Sequence, residues 1–422
     1  MRKILISAYA CEPGRGSEPG VGWFWSMELL KDNEIWVITR ANNRSLIDQG
    51  LVALPKNQAE RLHFVYYDCP RLIKALKKKE RGLYLYYLFW QCGVFFVAKK
   101  IAATVKFDYC IHLTFGSVWL PTFLHCLGIP FIIGPLGGGE GVPFKLIKNL
   151  PWRGRLAQYA RYLLIRLVNC NPFVLSPAKA AAAILVRTGD TARVFPQRYQ
   201  HKVHTILETG ISTEQLACYQ RESPVPTRTA VRLVYTGRLV AFKNIAMAIE
   251  AFASARLLCE NLEFTIVGEG PLRSDLELLA KERGVYGCVK FTGALGHEKV
   301  MNVLKESDIF VFPSLREGGT WSLFEAMAVG LPVICICTSG MEVITDDRSA
   351  IRVPVSSQDG MLADFKNSIS RLAEDAKLRK RMGEHARRRV SDQFGWDQKA
   401  CFMNRLLDQL DVKKRNRGGR GQ

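Results

Sequence analysis

One segment, from residue 309 to residue 337, constrains the fold of this chain more than any other. It begins with the apolar run Ile309 to Phe312, passes through a glycine-containing turn into a helical stretch, and ends in the apolar run Val333 to Cys337. Thr320 is a favourable N-cap for the helix, and Gly330 is a favourable stop. Apolar runs without polar alternation, joined through a helix, predict parallel strands that are covered on both faces.

The same alternation of strand and helix recurs along the chain. In the first half we predict strands at Ile4–Ile6, Ile35–Thr39, Phe64–Tyr66, Phe107–His112, Phe131–Ile133, Phe173–Ser176 and Val203–Ile206. In the second half strands are predicted to begin near Leu233, Phe264, Val289, Ile309 and Val333. This pattern predicts an α/β fold with two Rossmann-like, doubly wound parallel-sheet domains that face each other across a cleft.

The domain boundaries follow from where the alternation stops and restarts, and from a proline-containing polar stretch between the halves. We assign an N-terminal domain to residues 1–210, a linker to 211–230, a second domain to 231–395, a final helix to 396–412 and a basic, disordered tail to 413–422.

The composition limits the classes of partner and compartment. The formal net charge of +20, from 59 basic and 39 acidic residues, suggests a polyanionic partner: nucleic acid, an anionic membrane surface or a phosphorylated substrate. The twelve cysteines are scattered without a Cys-x-x-Cys or zinc-like spacing, which predicts reduced thiols and no metal site. The chain enters a strand at once, which leaves no room for a signal peptide and predicts a cytoplasmic protein.

Two carboxylates lie just before and within the helix that follows Thr320. Glu317 precedes the helix and Glu325 lies within it, and at roughly 100° per residue both can face the same cleft. The amide N–H groups of Gly319, Thr320 and Trp321 would point into that cleft. A helix start with unpaired N–H groups attracts phosphate. The plain alternative is a pair of solvated glutamates beside an ordinary loop.

A second candidate site follows the strand near Leu233. The loop after this strand contains Gly237, Arg238 and Lys243. A guanidinium can donate two hydrogen bonds to a phosphate, and a lysine adds a mobile charge, as a diphosphate leaving group requires. Taken alone, two cations in a loop are more often surface charge.

Together these motifs resemble a known family. The order and spacing of Gly237-Arg238-Leu239, Lys243, Gly268-Glu269-Gly270-Pro271, the Glu317 and Glu325 pair and Pro332-Val333-Ile334 are similar to the C-terminal half of retaining glycosyltransferases of the GT-B fold, of the family-four or group-one type. The opening Tyr9-Ala10-Cys11-Glu12-Pro13-Gly14 separately resembles that of bacterial polysaccharide enzymes of this type.

The resemblance implies roles for these residues. Arg238 and Lys243 would bind the diphosphate of the donor, Glu317 would contact the transferred sugar, and Glu325 would bind the ribose. The remaining residues implied at the donor site are glycines and one threonine: Gly237, Gly268, Gly318, Gly319 and Thr320. The implied reaction needs no cofactor or metal and no protein base, and the final helix is implied to pack back on the first domain.

This sequence departs from the family pattern in two places. Many members read Glu-Gly-Phe-Gly where this chain has residues 317–321, Glu-Gly-Gly-Thr-Trp, which affects the shape of the sugar pocket. The loop 338–342 has a single glycine where a pair is usual. Neither departure removes a charged group that the chemistry needs.

Candidate acceptor-side residues lie in the first half. The glycine-rich loop before a helix predicted at Phe24–Leu30 contains Gly20 and Gly22 but lacks a dinucleotide fingerprint, which argues against a dehydrogenase. His112 ends a predicted strand, at the sheet edge where ligands bind, although a lone histidine can equally be structural. Gly138 and Gly139 belong to a triple glycine, which a ligand close to the backbone would explain.

Residues 71–98 have two interpretations. A basic stretch precedes an aromatic run that is shorter than the ~20 residues needed to span a membrane. The run is either a buried helix of the domain or an interfacial helix that lies on anionic lipid beside the basic stretch.

The sequence therefore favours a retaining glycosyltransferase that uses a nucleotide sugar and a glycan or lipid-linked acceptor in surface polysaccharide or glycolipid synthesis. The alternatives are a sugar-nucleotide epimerase of the same architecture, a glycoside hydrolase that uses the two glutamates, and a nucleic-acid binder, for which no motif is present.

Overall fold

A computed structural model describes residues 1–14, 16–75, 82–148, 150–220 and 230–418. The chain divides into two compact units. Unit 1 contains Met1–Gly139, Leu164–Gly210 and Trp396–Gln422, and unit 2 contains Glu140–Leu163 and Ile211–Gly395.

Each unit is built on one parallel sheet. The strands of unit 1 are β1 Lys3–Ser7, β2 Glu34–Thr39, β3 Leu62–Tyr66, β4 Tyr109–His112, β5 Phe131–Leu136, β6 Ala181–Val186 and β7 Val203–Thr205, in the order β3-β2-β1-β4-β5-β6-β7. The strands of unit 2 are β8 Val231–Thr236, β9 Leu262–Val267, β10 Val289–Gly293, β11 Ile309–Phe312, β12 Val333–Ile336 and β13 Ala350–Val353, in the order β10-β9-β8-β11-β12-β13. The prediction of two Rossmann-like α/β domains is confirmed.

The α-helices of the described chain lie mostly between these strands. They are α1 Ser17–Leu30, α2 Arg44–Val52, α3 Lys56–Ala59, α4 Arg71–Ala75, α5 Leu83–Ala102, α6 Phe144–Ile147, α7 Trp152–Leu167, α8 Pro172–Ala180, α9 Gly189–Val194, α10 Thr213–Cys218, α11 Ile245–Arg256, α12 Arg273–Glu282, α13 His297–Glu306, α14 Trp321–Val329, α15 Ser339–Ile344, α16 Gln358–Glu374, α17 Ala376–Phe394 and α18 Trp396–Gly418.

One strand prediction is wrong. Residues 173–176 lie in α8, and the strand of this region is β6, which follows directly. Asn171 caps α8 by accepting a hydrogen bond from the Phe173 amide at 3.0 Å, and Pro172 stands at the first helical position, where a missing N–H has no cost. These start signals prevail over the strand preference of the apolar side chains.

The glycine-rich loop is also shorter than predicted, because α1 begins at Ser17 and includes both Gly20 and Gly22. Pro19 lies in the first turn, where a helix has no use for an N–H. A Cβ at Gly22 would lie 2.1 Å from the Ala10 carbonyl oxygen, so the glycine allows α1 to pack closely on the preceding segment. Both glycines therefore lie within a helix and not in an open loop, and Gly22 is a helix-packing residue.

The boundaries of the predicted segments differ from those of the structure in three places. Part of the predicted linker is ordered, because α10 begins at Thr213 with a capping box, whereas 221–229 lie outside the described residues. Residues 140–163, which are predicted to belong to the N-terminal domain, group with unit 2. The predicted disordered tail is helical as far as Gly418, since its lysines and arginines favour a helix C-terminus, and residues 419–422 lie outside the described residues.

A buried lysine in α18 costs unit 1 stability. The side chain of Lys399 is 3% exposed, and its Nζ donates to the Leu207 carbonyl oxygen at 2.7 Å. Burial lowers the pKa of Lys399 to about 7, whereas the unfolded chain holds this proton up to about pH 10.5. The neighbouring Glu208 is paired with Arg187 at 2.7 Å, so it keeps a counter-ion when Lys399 is replaced.

We expect Lys399→Met to stabilise the protein by about 1–3 kcal/mol at neutral or lower pH. The cost of burying the ammonium is complete below pH 7 and vanishes as the pH rises towards 10.5, so the gain should shrink with increasing pH. Thermal unfolding across this range measures the gain, with Lys413→Met, an exposed position of the same helix, as the control. A loss of stability in Lys399→Met at all pH values would contradict this account.

Candidate active site

Lys243 and Glu317 form a largely buried charged pair in unit 2. Lys243 Nζ donates to Glu317 Oε1, and the two side chains are only 10% and 12% exposed. The Lys243 ammonium also lies 5.1 Å from the centre of the Phe312 ring. The pair therefore occupies an environment of low polarity, in which electrostatic interactions are stronger than in water.

The loop that carries Glu317 is held in place on both sides. Ser314 Oγ donates to Glu317 Oε1 at 2.7 Å, and the Gly340 amide donates to the Glu317 carbonyl oxygen at 2.9 Å. A Cβ at Gly340 would lie 2.7 Å from the Gly318 oxygen, so the backbone of the Glu317 loop contacts the backbone at the start of α15. Glu317 is thus a fixed carboxylate.

The start of α14 lies directly after this loop. Gly318, Gly319 and Thr320 lead into the helix, and Thr320 has an extended N-cap conformation. Its hydroxyl does not cap the helix and instead lies 2.9 Å from Ser322 Oγ. The first amides of a helix have no intrahelical partner, so this end of α14 can accept an anion beside the Lys243 and Glu317 pair.

Arg238 and two of the glycines predicted at the donor site, Gly237 and Gly268, lie just after the ends of β8 and β9. Arg238 is exposed, and its carbonyl oxygen accepts a hydrogen bond from Tyr235 Oη at 3.2 Å. Gly268 has a φ of 141°, and a Cβ there would lie 1.9 Å from the Gly237 oxygen. The glycines therefore let the two strand ends approach closely at the edge where the exposed Arg238 lies.

Glu325 has partners that the sequence did not reveal. It is 8% exposed, and its Oε1 lies 3.0 Å from His297 Nε2, which in turn lies 3.5 Å from Tyr219 Oη. The hydrogen bond to Glu325 raises the pKa of His297 above its usual value. His297 opens α13 and Tyr219 follows α10, and neither position belongs to a recognisable motif.

His112 lies at the end of β4 in unit 1 and is 2% exposed. Gln91 Nε2 donates to Tyr87 Oη at 2.8 Å, and Tyr87 Oη lies 3.2 Å from His112 Nε2. Burial lowers the pKa of His112 to about 4, so the ring is neutral near pH 7. Since the phenol oxygen accepts from Gln91, its own proton is available to Nε2, and in that arrangement the proton of the ring lies on Nδ1.

The triple glycine has a structural explanation. Gly138 has a φ of 108°, and its carbonyl oxygen accepts from Trp119 Nε1 at 3.0 Å. A Cβ at Gly139 would lie 2.5 Å from Thr191 Cα, and its amide donates to Thr191 Oγ1 at 3.2 Å. Contacts within the protein therefore account for these glycines without a ligand.

Within the described residues, no group of three or more His, Cys, Asp or Glu side chains could hold a metal ion. Among the described helices, none combines the length and the apolar character that crossing a membrane requires.

Comparison with known proteins relates unit 2 to a family. Residues 220–389 match the model described as glycosyl transferases group 1. The amylovoran biosynthesis glycosyltransferase AmsK of Erwinia amylovora is 34% identical over 37% of this chain and 40% of its own length. The chain spans about half or less of the length of the first curated relatives that it matches.

Solved structures show the fold over nearly the whole chain. Sucrose-phosphate synthase from Thermosynechococcus elongatus has a TM-score of 0.63 at 17% identity and covers 98% of this chain and 100% of its own. Anabaena HepE, in complex with UDP and glucose, has a TM-score of 0.58 at 14% identity and covers 97% and 100%. The fold is the two-domain GT-B fold.

Proposed function

We propose that this chain, whose residues 220–389 belong to the group 1 glycosyl transferases, transfers a sugar from a nucleotide-diphosphate donor to a hydroxyl of a glycan or lipid-linked acceptor. We further propose that the anomeric configuration is retained and that no metal or other cofactor takes part. The observation that carries the proposal is the fixed pair of Lys243 and Glu317 beside the start of α14, within the segment that matches the family.

The charges of this site suit the departure of a diphosphate. As the bond between the anomeric carbon and the phosphate oxygen breaks, its electron pair passes to that oxygen. We expect Lys243, Arg238 and the first amides of α14 to stabilise the resulting charge, which the buried pair beside the start of this helix supports. The acceptor oxygen bonds to the anomeric carbon on the same face, and its proton passes to the departing phosphate oxygen, so no protein base is needed.

The test is product analysis with purified protein and a panel of nucleotide sugars. Thermal stabilisation identifies the donor that binds, because a ligand specific for the folded state raises the melting temperature. Transfer to an acceptor with a retained anomeric configuration, as read by NMR, is expected. An inverted product would refute retention, and isomerisation of the donor sugar without transfer would favour a sugar-nucleotide epimerase, which the family match does not support.

Glu325→Ala should weaken binding of the donor nucleotide by about 10–100-fold, because charged hydrogen bonds to two ribose hydroxyls would be lost. Isothermal titration with the donor measures the effect. His297→Ala is the matched control: its imidazole is 60% exposed and contacts the same carboxylate, so its loss should change affinity only a few-fold. Equal losses in both variants would contradict ribose binding by Glu325.

The proposed partners and location follow from the acceptor. A lipid-linked acceptor would be met at a membrane surface, and the net charge of +20 suits an anionic one. We therefore place the reaction in the cytoplasm, with the protein bound peripherally at the inner face of the membrane and without a nucleic-acid partner.

A further inference from the structure

Helix α7 has two opposite faces. On the inner face Gln158 is buried, Arg161 Nε donates to the Glu140 carbonyl oxygen at 2.6 Å, and Tyr162 Oη donates to the Val142 carbonyl oxygen at 2.8 Å. On the outer face, large apolar side chains recur at intervals of four, three and four residues, which is the spacing of one helical stripe. They are Trp152, Leu156, Tyr159 and Leu163.

These outer side chains are exposed to an unusual degree. Trp152 and Leu156 are each 63% exposed, Tyr159 is 46% exposed, and Leu163 is 60% exposed. Phe144 of α6 is 67% exposed and packs edge-on against Tyr159, with ring centres 6.0 Å apart, so it extends the same surface. Contiguous exposed apolar surface of this kind marks a site of interaction with a protein or a membrane. We call Phe144, Trp152, Leu156, Tyr159 and Leu163 the α7 patch.

The charges around the α7 patch distinguish between these two kinds of partner. Exposed cations border it, namely Lys145, Lys148, Arg153 and Arg155, and the Arg153 guanidinium lies 5.2 Å from the centre of the Trp152 ring. The sequence has no aspartate or glutamate between Glu140 and Asp190. A helix with an aromatic and leucine face bordered by cations is typical of helices that lie in the interface of an anionic bilayer.

We propose that the α7 patch is the surface by which this protein docks on anionic lipid, with α7 lying in the plane of the interface. The proposal rests on the peripheral membrane binding included in the proposed function and deepens it by naming the surface that makes the contact. It also moves the membrane contact away from residues 71–98, where the sequence suggested it.

The helix within residues 71–98 is less suited to anionic lipid. Tyr86 and Trp90 of α5 are buried. Tyr86 Oη donates to Asp68 Oδ1 at 3.2 Å, and Lys74 is paired with Asp68 Oδ2 at 3.3 Å. Asp68 therefore already pairs with Lys74 of α4, and residues 76–81 of the predicted basic stretch lie outside the described residues. The exposed Leu85 and Phe89 of α5 nevertheless offer a matched control surface.

The experiment is co-sedimentation of the purified full chain with vesicles, either of phosphatidylcholine alone or of phosphatidylcholine and phosphatidylglycerol in equal amounts. We expect binding to the anionic vesicles that falls steeply with added salt. Trp152→Ser combined with Leu156→Ser and Leu163→Ser should weaken this binding by about tenfold or more. Arg153→Glu with Arg155→Glu should do the same, whereas Leu85→Ser with Phe89→Ser should leave it within about twofold.

Other outcomes overturn the proposal. These are no binding of the unmodified protein to anionic vesicles, full binding by the triple serine variant, and loss of binding in the α5 variant. A dimer in sedimentation velocity that the triple variant converts to a monomer would assign the patch to a second copy instead. If the triple variant does not fold, the arginine variants decide alone, and since no donor is present, none of these results depends on whether the chain transfers a sugar.

Discussion

Lys243→Ala is expected to lower the rate of sugar transfer by about 10²–10³-fold, the usual cost of removing one donor that stabilises developing negative charge. The effect should be large because the ammonium is 10% exposed and lies beside the Phe312 ring, so water cannot replace it well. Steady-state kinetics should show the loss mainly in kcat, since the charge on the diphosphate increases as the bond breaks.

Removing Lys243 also leaves the Glu317 carboxylate buried without its cation, which can destabilise a protein by about 3–5 kcal/mol. The double variant Lys243→Met with Glu317→Gln removes both charges and should recover most of the stability while remaining inactive. Lys290→Ala, at an exposed position of β10, should keep both properties. Near-normal turnover in Lys243→Ala, or a donor diphosphate bound away from Lys243 and Arg238, would refute the proposed site.

The sequence identified Lys243 and Glu317 as separate candidates but could not show that they form a pair. Each follows a strand, β8 in one case and β11 in the other. These strands are neighbours in the sheet, with Ile309 opposite Leu233, and the carboxyl ends of parallel strands meet at one edge. The order of the strands depends on packing between residues that are far apart in the sequence. The motifs alone therefore could not show that these two residues form a pair.

His297 shows the limit of motif reasoning. It opens α13 with a side chain that is 60% exposed, and a single histidine at a helix start has no periodicity or spacing that predicts a role. Its relation to Glu325 becomes apparent only when α13 and α14 are packed together. Residues of this kind can be found from a structure and not from one sequence.

The aromatic run after residue 82 shows a different limit. Sequence alone could not decide between a buried helix and an interfacial one, and the structure divides the run between both environments. Tyr87 and Trp90 are fully buried, whereas Phe89 is 39% exposed and Phe96 is 67% exposed. Helices α5 and α7 are both rich in apolar residues. The charges beside each helix, rather than its hydrophobicity, therefore indicate which of the two surfaces suits anionic lipid.

His112→Ala is expected to lower kcat by about 10²-fold, if the histidine donates a hydrogen bond to a substrate oxygen from its buried ring. His112 Nδ1 has no hydrogen-bond partner within the described part of the chain, although it is buried. Donation from Tyr87 to Nε2 assigns the proton to Nδ1, so this atom would be the donor that faces the substrate. His112→Gln, which keeps an N–H donor, should recover part of the lost rate.

Tyr87→Phe tests the same arrangement without touching the ring itself. Without the phenol, Nε2 no longer receives a hydrogen bond and the proton is free to move to it, which would turn Nδ1 into an acceptor. We expect kcat to fall by about tenfold with little change in KM, and the ¹⁵N chemical shifts of the His112 ring to report the change of tautomer. Tyr86→Phe is the matched control on α5, because its hydroxyl binds Asp68 and not a histidine. A histidine that serves only to pack the sheet would tolerate Tyr87→Phe with unchanged kcat, and that result would remove His112 from the site.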